Sequence, residues 1–177
     1  MKAIVIFFRQ RAIRGFLKRK KSCKLPDISK SPTVAFLLEE QQFARHKELE
    51  RKMTSLFPMK RLTFITFVEA MPQDVLQSDR NFLITKNDFN FFGLMKNVKK
   101  ESLQYLKFDM LVDFTNNNDE LMTNQYIMSL TNNTFRVTFR GDCPSLYDMV
   151  IDSKKEDDIM NRIDILYSYL SMLLGKR

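Results

Sequence analysis

Short apolar runs alternating with helical stretches constrain the fold of this chain more than any other feature. Thr33 to Leu38 (TVAFLL) is apolar almost throughout and bounded by Pro32 and Glu39, the pattern of a strand buried on both faces. Leu62 to Val68, Phe82 to Thr85, Phe108 to Phe114, Phe135 to Phe139 and Tyr147 to Ile151 repeat it. Helical patterns fall between these runs: Glu40 to Leu56, a short one at Pro72 to Gln77, Val98 to Leu106, Asp119 to Leu130, and Glu156 to Leu174. The last carries Ile159, Ile163, Leu166, Leu170 and Leu173 on one stripe. Strand, helix, strand, repeated, predicts a mostly parallel sheet with helices on both faces.

The expected fold class is therefore α/β: a doubly wound, Rossmann-like three-layer αβα domain over residues 31–177. With 177 residues and 44% hydrophobic content, one core is the natural reading. In front of it stands an arm, residues 1–30, of very different character. It holds ten Lys or Arg against the single acid Asp27, a net charge of +9, while the remainder is close to neutral at −1. An arm of that density attracts phosphates, of nucleic acid or of lipid headgroups.

At 100° per residue Arg11, Arg14, Lys18 and Lys21 fall on one side of a helix from Ala3 to Lys21, with Val5, Phe8, Ala12, Ile13, Phe16 and Leu17 on the other. Two cations, Arg9 and Lys20, project near the middle of the apolar face. Arg9, Arg11, Arg14, Lys18, Arg19, Lys20, Lys21 and Lys24 are the candidate contacts to a nucleic acid or anionic surface. Lys24 to Pro32 reads as an extended linker. The apolar periodicity from Thr33 to Leu174 is complete without the arm, so removing it is expected to leave the domain folded.

Several function classes are disfavoured by what the residues lack. Cys23 and Cys143 are too far apart in sequence and too few to form a disulfide framework or a metal-binding pair, and read as reduced thiols. The apolar run Ala3 to Phe8 is too short for a secretory signal and no stretch approaches a membrane span, which predicts a cytoplasmic body. His46, the only histidine, lies among charged residues and reads as a solvated surface residue; neither it nor Cys143 has a partner that would activate it. Only four glycines occur, and the first strand runs straight into Glu39-Glu40-Gln41-Gln42, so a phosphate-cradling loop has nowhere to be. No cofactor, metal or catalytic residue is expected.

Ligands of open α/β sheets sit at the carboxyl ends of the strands. Glu39, Glu40, Glu69, Lys86, Asp88, Asp113 and Asp152 fall there. Asp113 and Asp152 form a possible ligand site if their strands are neighbours, although an Asp after a strand more often caps the next turn. Both belong to an echo, Phe108-Asp109-Met110-Leu111-Val112-Asp113 and Tyr147-Asp148-Met149-Val150-Ile151-Asp152, read as two central strands built by the same rules.

From Pro32 to Leu174 the chain resembles a family of small Bacteroidota proteins classed as a domain of unknown function. The resemblance is carried by Thr33-Val34-Ala35-Phe36-Leu37, Asn87 to Gly93 (NDFNFFG), both halves of the echo and Phe135-Arg136-Val137. It implies a basic opening segment and assigns no activity. More distantly, Phe108 to Phe139 is similar to the acceptor half of heptosyltransferase-type sugar transferases, with Thr138 where their strand has Gly and without a donor-binding half. The function expected from the whole is a non-enzymatic binding protein that docks on structured RNA or the ribosome through its arm. The alternatives are a peripheral protein on the inner face of the membrane using the same helix, a sugar-transferase remnant, and a solubilising tail whose apolar residues pack back onto the domain.

Overall fold

A computed structural model describes residues 2–27, 30–57, 61–71, 80–116, 118–131, 134–141, 144–152 and 158–173. Among these residues six parallel strands form one sheet: β1 (Thr33–Leu38), β2 (Arg61–Phe67), β3 (Asn81–Ile84), β4 (Met110–Asp113), β5 (Phe135–Thr138) and β6 (Met149–Val150). Their order is β3-β2-β1-β4-β5-β6. This is the doubly wound α/β arrangement, in which the chain starts at the centre, winds outward through β3, and returns to wind the other way from β4. Leu37 pairs with Ile65 on one side and Asp113 on the other, so the point where the winding reverses lies between the ends of β1 and β4.

The helices are α1 (Lys2–Leu17), α2 (Glu40–Phe43), α3 (His46–Leu56), α4 (Asn97–Tyr105), α5 (Asn118–Leu130) and α6 (Ile159–Leu173). Alternation within each strand divides the core. Val34, Phe36 and Leu38 face Phe43, Leu49 and Met53 of α2 and α3 and Ile159, Ile163, Leu166 and Leu170 of α6. Ala35 and Leu37 point the opposite way, to Leu103 of α4 and Tyr126 and Ile127 of α5. Both faces of β1 are buried, which is why its sequence shows no polar alternation.

Where one helix was expected over Glu40 to Leu56 there are two, broken at Ala44 and Arg45. Glu39 and Gln42 form a capping box that closes the first turn, Phe43 plugs into the core, and α3 restarts after Arg45. His46 is accordingly only half-exposed: its ring stacks on Phe43 at 4.7 Å and Nδ1 donates to the Phe43 carbonyl at 2.9 Å. The helix expected at Pro72 to Gln77, Cys143, and the start of the helix expected at Glu156 lie outside the described residues.

Only β4 of the echoed pair is central, since β6 is a two-residue edge strand. What the echo encodes is a strand entry. Asp109 accepts hydrogen bonds from Thr33 N at 2.7 Å and Thr33 Oγ1 at 2.8 Å, and Asp148 accepts one from Arg136 N at 2.9 Å. Each aspartate satisfies a backbone donor at the start of a neighbouring strand, the first of β1 for Asp109 and the second of β5 for Asp148.

Candidate nucleic-acid interface

Helix α1 lies along α5, and its apolar face does the packing: Ile13 is buried, with Ala12, Phe16 and Leu17 against the same cluster. The two cations that interrupt that face are the ones that fasten it. Arg9 donates to the Gly93 carbonyl at 2.8 Å and to Thr123 Oγ1 at 2.6 Å, with its guanidinium 4.8 Å from the centre of the Phe89 ring and 5.8 Å from that of Tyr126. Desolvation lowers its pKa, and the Tyr126 hydroxyl offsets part of that. Lys20 pairs with Asp148 at 2.9 Å and donates to the Tyr147 carbonyl at 2.9 Å. These two are therefore not surface contacts.

Further along, Phe16 packs under the guanidinium of Arg136 at 4.6 Å. Arg136 is itself buried and donates to the carbonyls of Met128, Thr131 and Thr134, so a cation closes the carboxyl end of α5, where the helix dipole favours positive charge. Burial lowers its pKa, and the nearby Asp148 opposes that.

With Arg9 and Lys20 turned inward, the outward side of the segment consists of Arg11, Arg14, Lys18, Arg19, Lys21 and Lys24, all exposed. No acid lies among residues 2–24. The arm is thus held against the domain by one face and displays six cations on the other: Arg11 and Arg14 from α1, and Lys18, Arg19, Lys21 and Lys24 from the segment beyond Leu17, where the helix ends short of the Lys21 that the sequence predicts.

At the amino end of α1 this surface becomes aromatic. A turn at residues 90–93 is closed by Asn90, whose Oδ1 accepts from Phe92 N at 3.0 Å and Leu94 N at 3.1 Å. Gly93 adopts φ +72°, and α1 approaches it so closely that a Cβ there would overlap Val5. The turn displays Phe91 (69% exposed) and Phe92 (45%). Rings of Phe7, Phe8, Phe92 and Phe91 follow one another at centroid distances of 5.5, 4.7 and 5.6 Å. Phe8 also lines a groove of about 670 Å³ between α1 and α4, floored by Tyr126, Ser129 and Leu130 of α5. Arg11 and Arg19 stand on one wall, Lys100 and Gln104 on the other, and none of the lining residues is acidic. Phe91, Phe92, Lys100 and Gln104 are not among the contacts the sequence predicts; the NDFNFFG run is a signal for the two phenylalanines, and Lys100 and Gln104 have none.

At the other candidate site, β5 lies between β4 and β6, so Asp113 and Asp152 do not stand on neighbouring strands. Asp113 is fully buried, accepting from Thr115 N at 2.9 Å and from the Tyr147 hydroxyl at 2.6 Å. Desolvation raises its pKa, and the Thr115 and Tyr147 hydrogen bonds counter that. Asp152 is exposed. Between the ends of β1 and β4 the protein's own side chains meet: Asn116 N donates to Glu39, Gln42 Nε2 donates to the Phe114 carbonyl at 3.0 Å, and Arg162 donates to Asn116 Oδ1. Arg140 reaches the Asn116 carbonyl at 2.8 Å. A carboxylate thus occupies the place where α/β nucleotide sites offer backbone N–H groups. Glu69 receives Lys86 at 3.3 Å, and Asp88 caps Thr85 N at 2.7 Å. Among the described residues no three His, Cys, Asp or Glu side chains gather as a metal site requires, and no helix is long and apolar enough to cross a membrane.

The profile of a family of unknown function (DUF6913) matches residues 6–173, including most of α1. No curated protein and no solved structure matches the chain.

Proposed function

The chain belongs to this family of unknown function, and because membership assigns no activity, we propose from the geometry that it is a non-enzymatic protein that docks on structured RNA, such as the ribosome, through the outward face of its basic N-terminal arm. The observation that carries this reading is the division of labour among the cations. Arg9 and Lys20 are consumed in holding the helix, leaving Arg11, Arg14, Lys18, Arg19, Lys21 and Lys24 on a fixed surface. A cationic surface presented by a docked segment loses less conformational entropy on meeting a phosphate backbone than a loose tail would. Exposed phenylalanines beside it suit unpaired bases. Cytoplasmic placement on the ribosome goes with this reading.

A second reading, docking at an anionic membrane surface, is favoured by the exposure of Ile4 (46%), Ile6 (42%) and Phe7 (58%). Val5, Ile13 and Phe16, which the helix alone would offer to acyl chains, are engaged with the domain. A sugar-transferase remnant has less support, because both Asp113 oxygens are already hydrogen-bonded inside the protein.

Co-sedimentation with ribosomes and, separately, with anionic liposomes decides between the first two. Replacing Arg11, Arg14, Lys18 and Lys21 with Ala is expected to abolish ribosome binding, while replacing Ile4 and Ile6 with Ala leaves it intact. Each CH₂ buried in a bilayer contributes about 0.8 kcal/mol, so loss of liposome binding in the Ile4/Ile6 variant, with no ribosome binding by the intact protein, would overturn the RNA reading in favour of the membrane.

A further inference from the structure

On the reading that RNA is the partner, we infer that the groove between α1 and α4 is a track for an unpaired RNA segment, entered over the Phe91 and Phe92 rings, with phosphates held by Arg11, Arg19 and Lys100. Three independent observations converge on it. Its two walls come from different helices and both carry cations, so a polyanion lying in the groove is held from both sides. The groove and the aromatic surface are physically continuous, because Phe8 lines the one and stands 4.7 Å from Phe92 of the other. The turn bearing Phe91 and Phe92 is fixed by Asn90 and by Arg9 on the Gly93 carbonyl, so the rings are presented on an ordered support.

The dimensions fit a single strand. From Phe8 to Leu17 the α1 wall runs about 14 Å at 1.5 Å per helical residue, the length of about four stacked nucleotides at 3.4 Å each, and Arg19 stands just beyond the helix end. A duplex has its bases turned inward, away from the phenylalanines, and can use only the outer cations. Aromatic rings accept every base, so the track reads strandedness rather than sequence. Gln104, beyond Lys100 on the same wall, is committed in part to the Leu130 carbonyl at 3.1 Å and serves mainly to shape the floor.

Fluorescence anisotropy with the full-length protein tests this, using a labelled 12-nucleotide single-stranded RNA and a blunt duplex of the same sequence. The single strand is expected to bind at least tenfold more tightly than the duplex. Phe91→Ala with Phe92→Ala is expected to weaken single-strand binding by about tenfold or more for each base that loses its ring, and Lys100→Ala to weaken it severalfold, with the duplex little changed. Replacing Arg14, Lys18 and Lys21 with Ala should weaken both. Equal affinity for the two RNAs, or single-strand affinity unmoved by the Phe91/Phe92 and Lys100 variants, overturns the track while leaving RNA docking standing. Absence of binding to either RNA at 50 mM salt overturns both. Circular dichroism melts of each variant identify any loss that is due to unfolding.

Discussion

Gly93→Ala tests the seating of α1 directly, because the residue has two separate reasons to be glycine. At φ +72° an alanine pays about 1 kcal/mol in backbone strain. Its Cβ would also overlap Val5 Cγ1 and stand 3.1 Å from Val5 Cβ and Cγ2, and forcing an extra carbon into a packed contact costs about 1–3 kcal/mol. Together these come to about 3 kcal/mol, a fall in Tm of about 6–12 °C for a chain of this size. Val5→Ala alone should be nearly neutral: it loses about 1 kcal/mol of half-buried side chain and regains part of that in helix propensity. In the double variant the overlapping methyl is gone, so only the backbone strain and a tight Cβ contact remain. The coupling between the two sites is then about 1–2 kcal/mol, readable from urea titrations of the four proteins in a double-mutant cycle. Additivity within about 0.5 kcal/mol would mean that α1 does not sit on the 90–93 turn, and with it the surface built on that contact would fall.

Four further outcomes are expected. Deleting residues 1–30 removes a nearly fully buried Ile13 and half-buried Val5, Phe8, Phe16 and Leu17, about 6 kcal/mol in all, so calorimetry should show Tm lower by 10 °C or more, and an unchanged Tm would refute the packing. Asp148→Asn leaves Lys20 and Arg136 without their shared carboxylate and should cost about 2–4 kcal/mol in urea unfolding; a cost below 0.5 kcal/mol would refute that account. Since the folded pKa of Asp113 is raised above its unfolded value, the protein should lose stability as pH rises from about 4 through that raised pKa, and Asp113→Asn should remove this loss; urea titrations from pH 4 to 8 in which both proteins change alike would refute it. If about five cations meet single-stranded phosphates, raising salt from 50 to 200 mM should weaken RNA binding about 100-fold, whereas a change of less than tenfold in anisotropy titrations would contradict that contact number.

The sheet was legible because its strands are buried on both faces. TVAFLL and LTFITFV have nothing polar to blur them beyond threonine, and β1, β2 and β5 fall within a residue of their apolar runs. The break between α2 and α3 was not, since it depends on Phe43 finding a place in the core, a tertiary fact. The arm was half legible. The helical pattern separates Arg11 and Arg14 from the packed face and marks Arg9 and Lys20 as intruders, but it runs on to Lys21 where the helix stops at Leu17. The partners of Arg9 and Lys20, Thr123 and Tyr147, are more than a hundred positions away, beyond any local pattern. Asp113 and Asp152 looked alike in sequence because each ends an echoed strand, yet strand order separates them, and order in a doubly wound sheet is set by which side each crossover takes.

The attachment of α1 to the late part of the chain also has a consequence in time. Arg9 must wait for Thr123, 114 positions later, and Lys20 for Tyr147, 127 positions later. At about 5–20 residues per second a ribosome takes about 6–25 s to make those partners. Until α5 is made the helix lacks the element it lies along and has only earlier contacts, such as the 90–93 turn, to rest on. Closing so long a loop also makes its docking a late step in refolding, after the sheet has formed. Substitutions in α1 should then leave the folding rate almost untouched and act on the rate of unfolding, so that this segment governs how long the native state lasts more than how quickly it is reached.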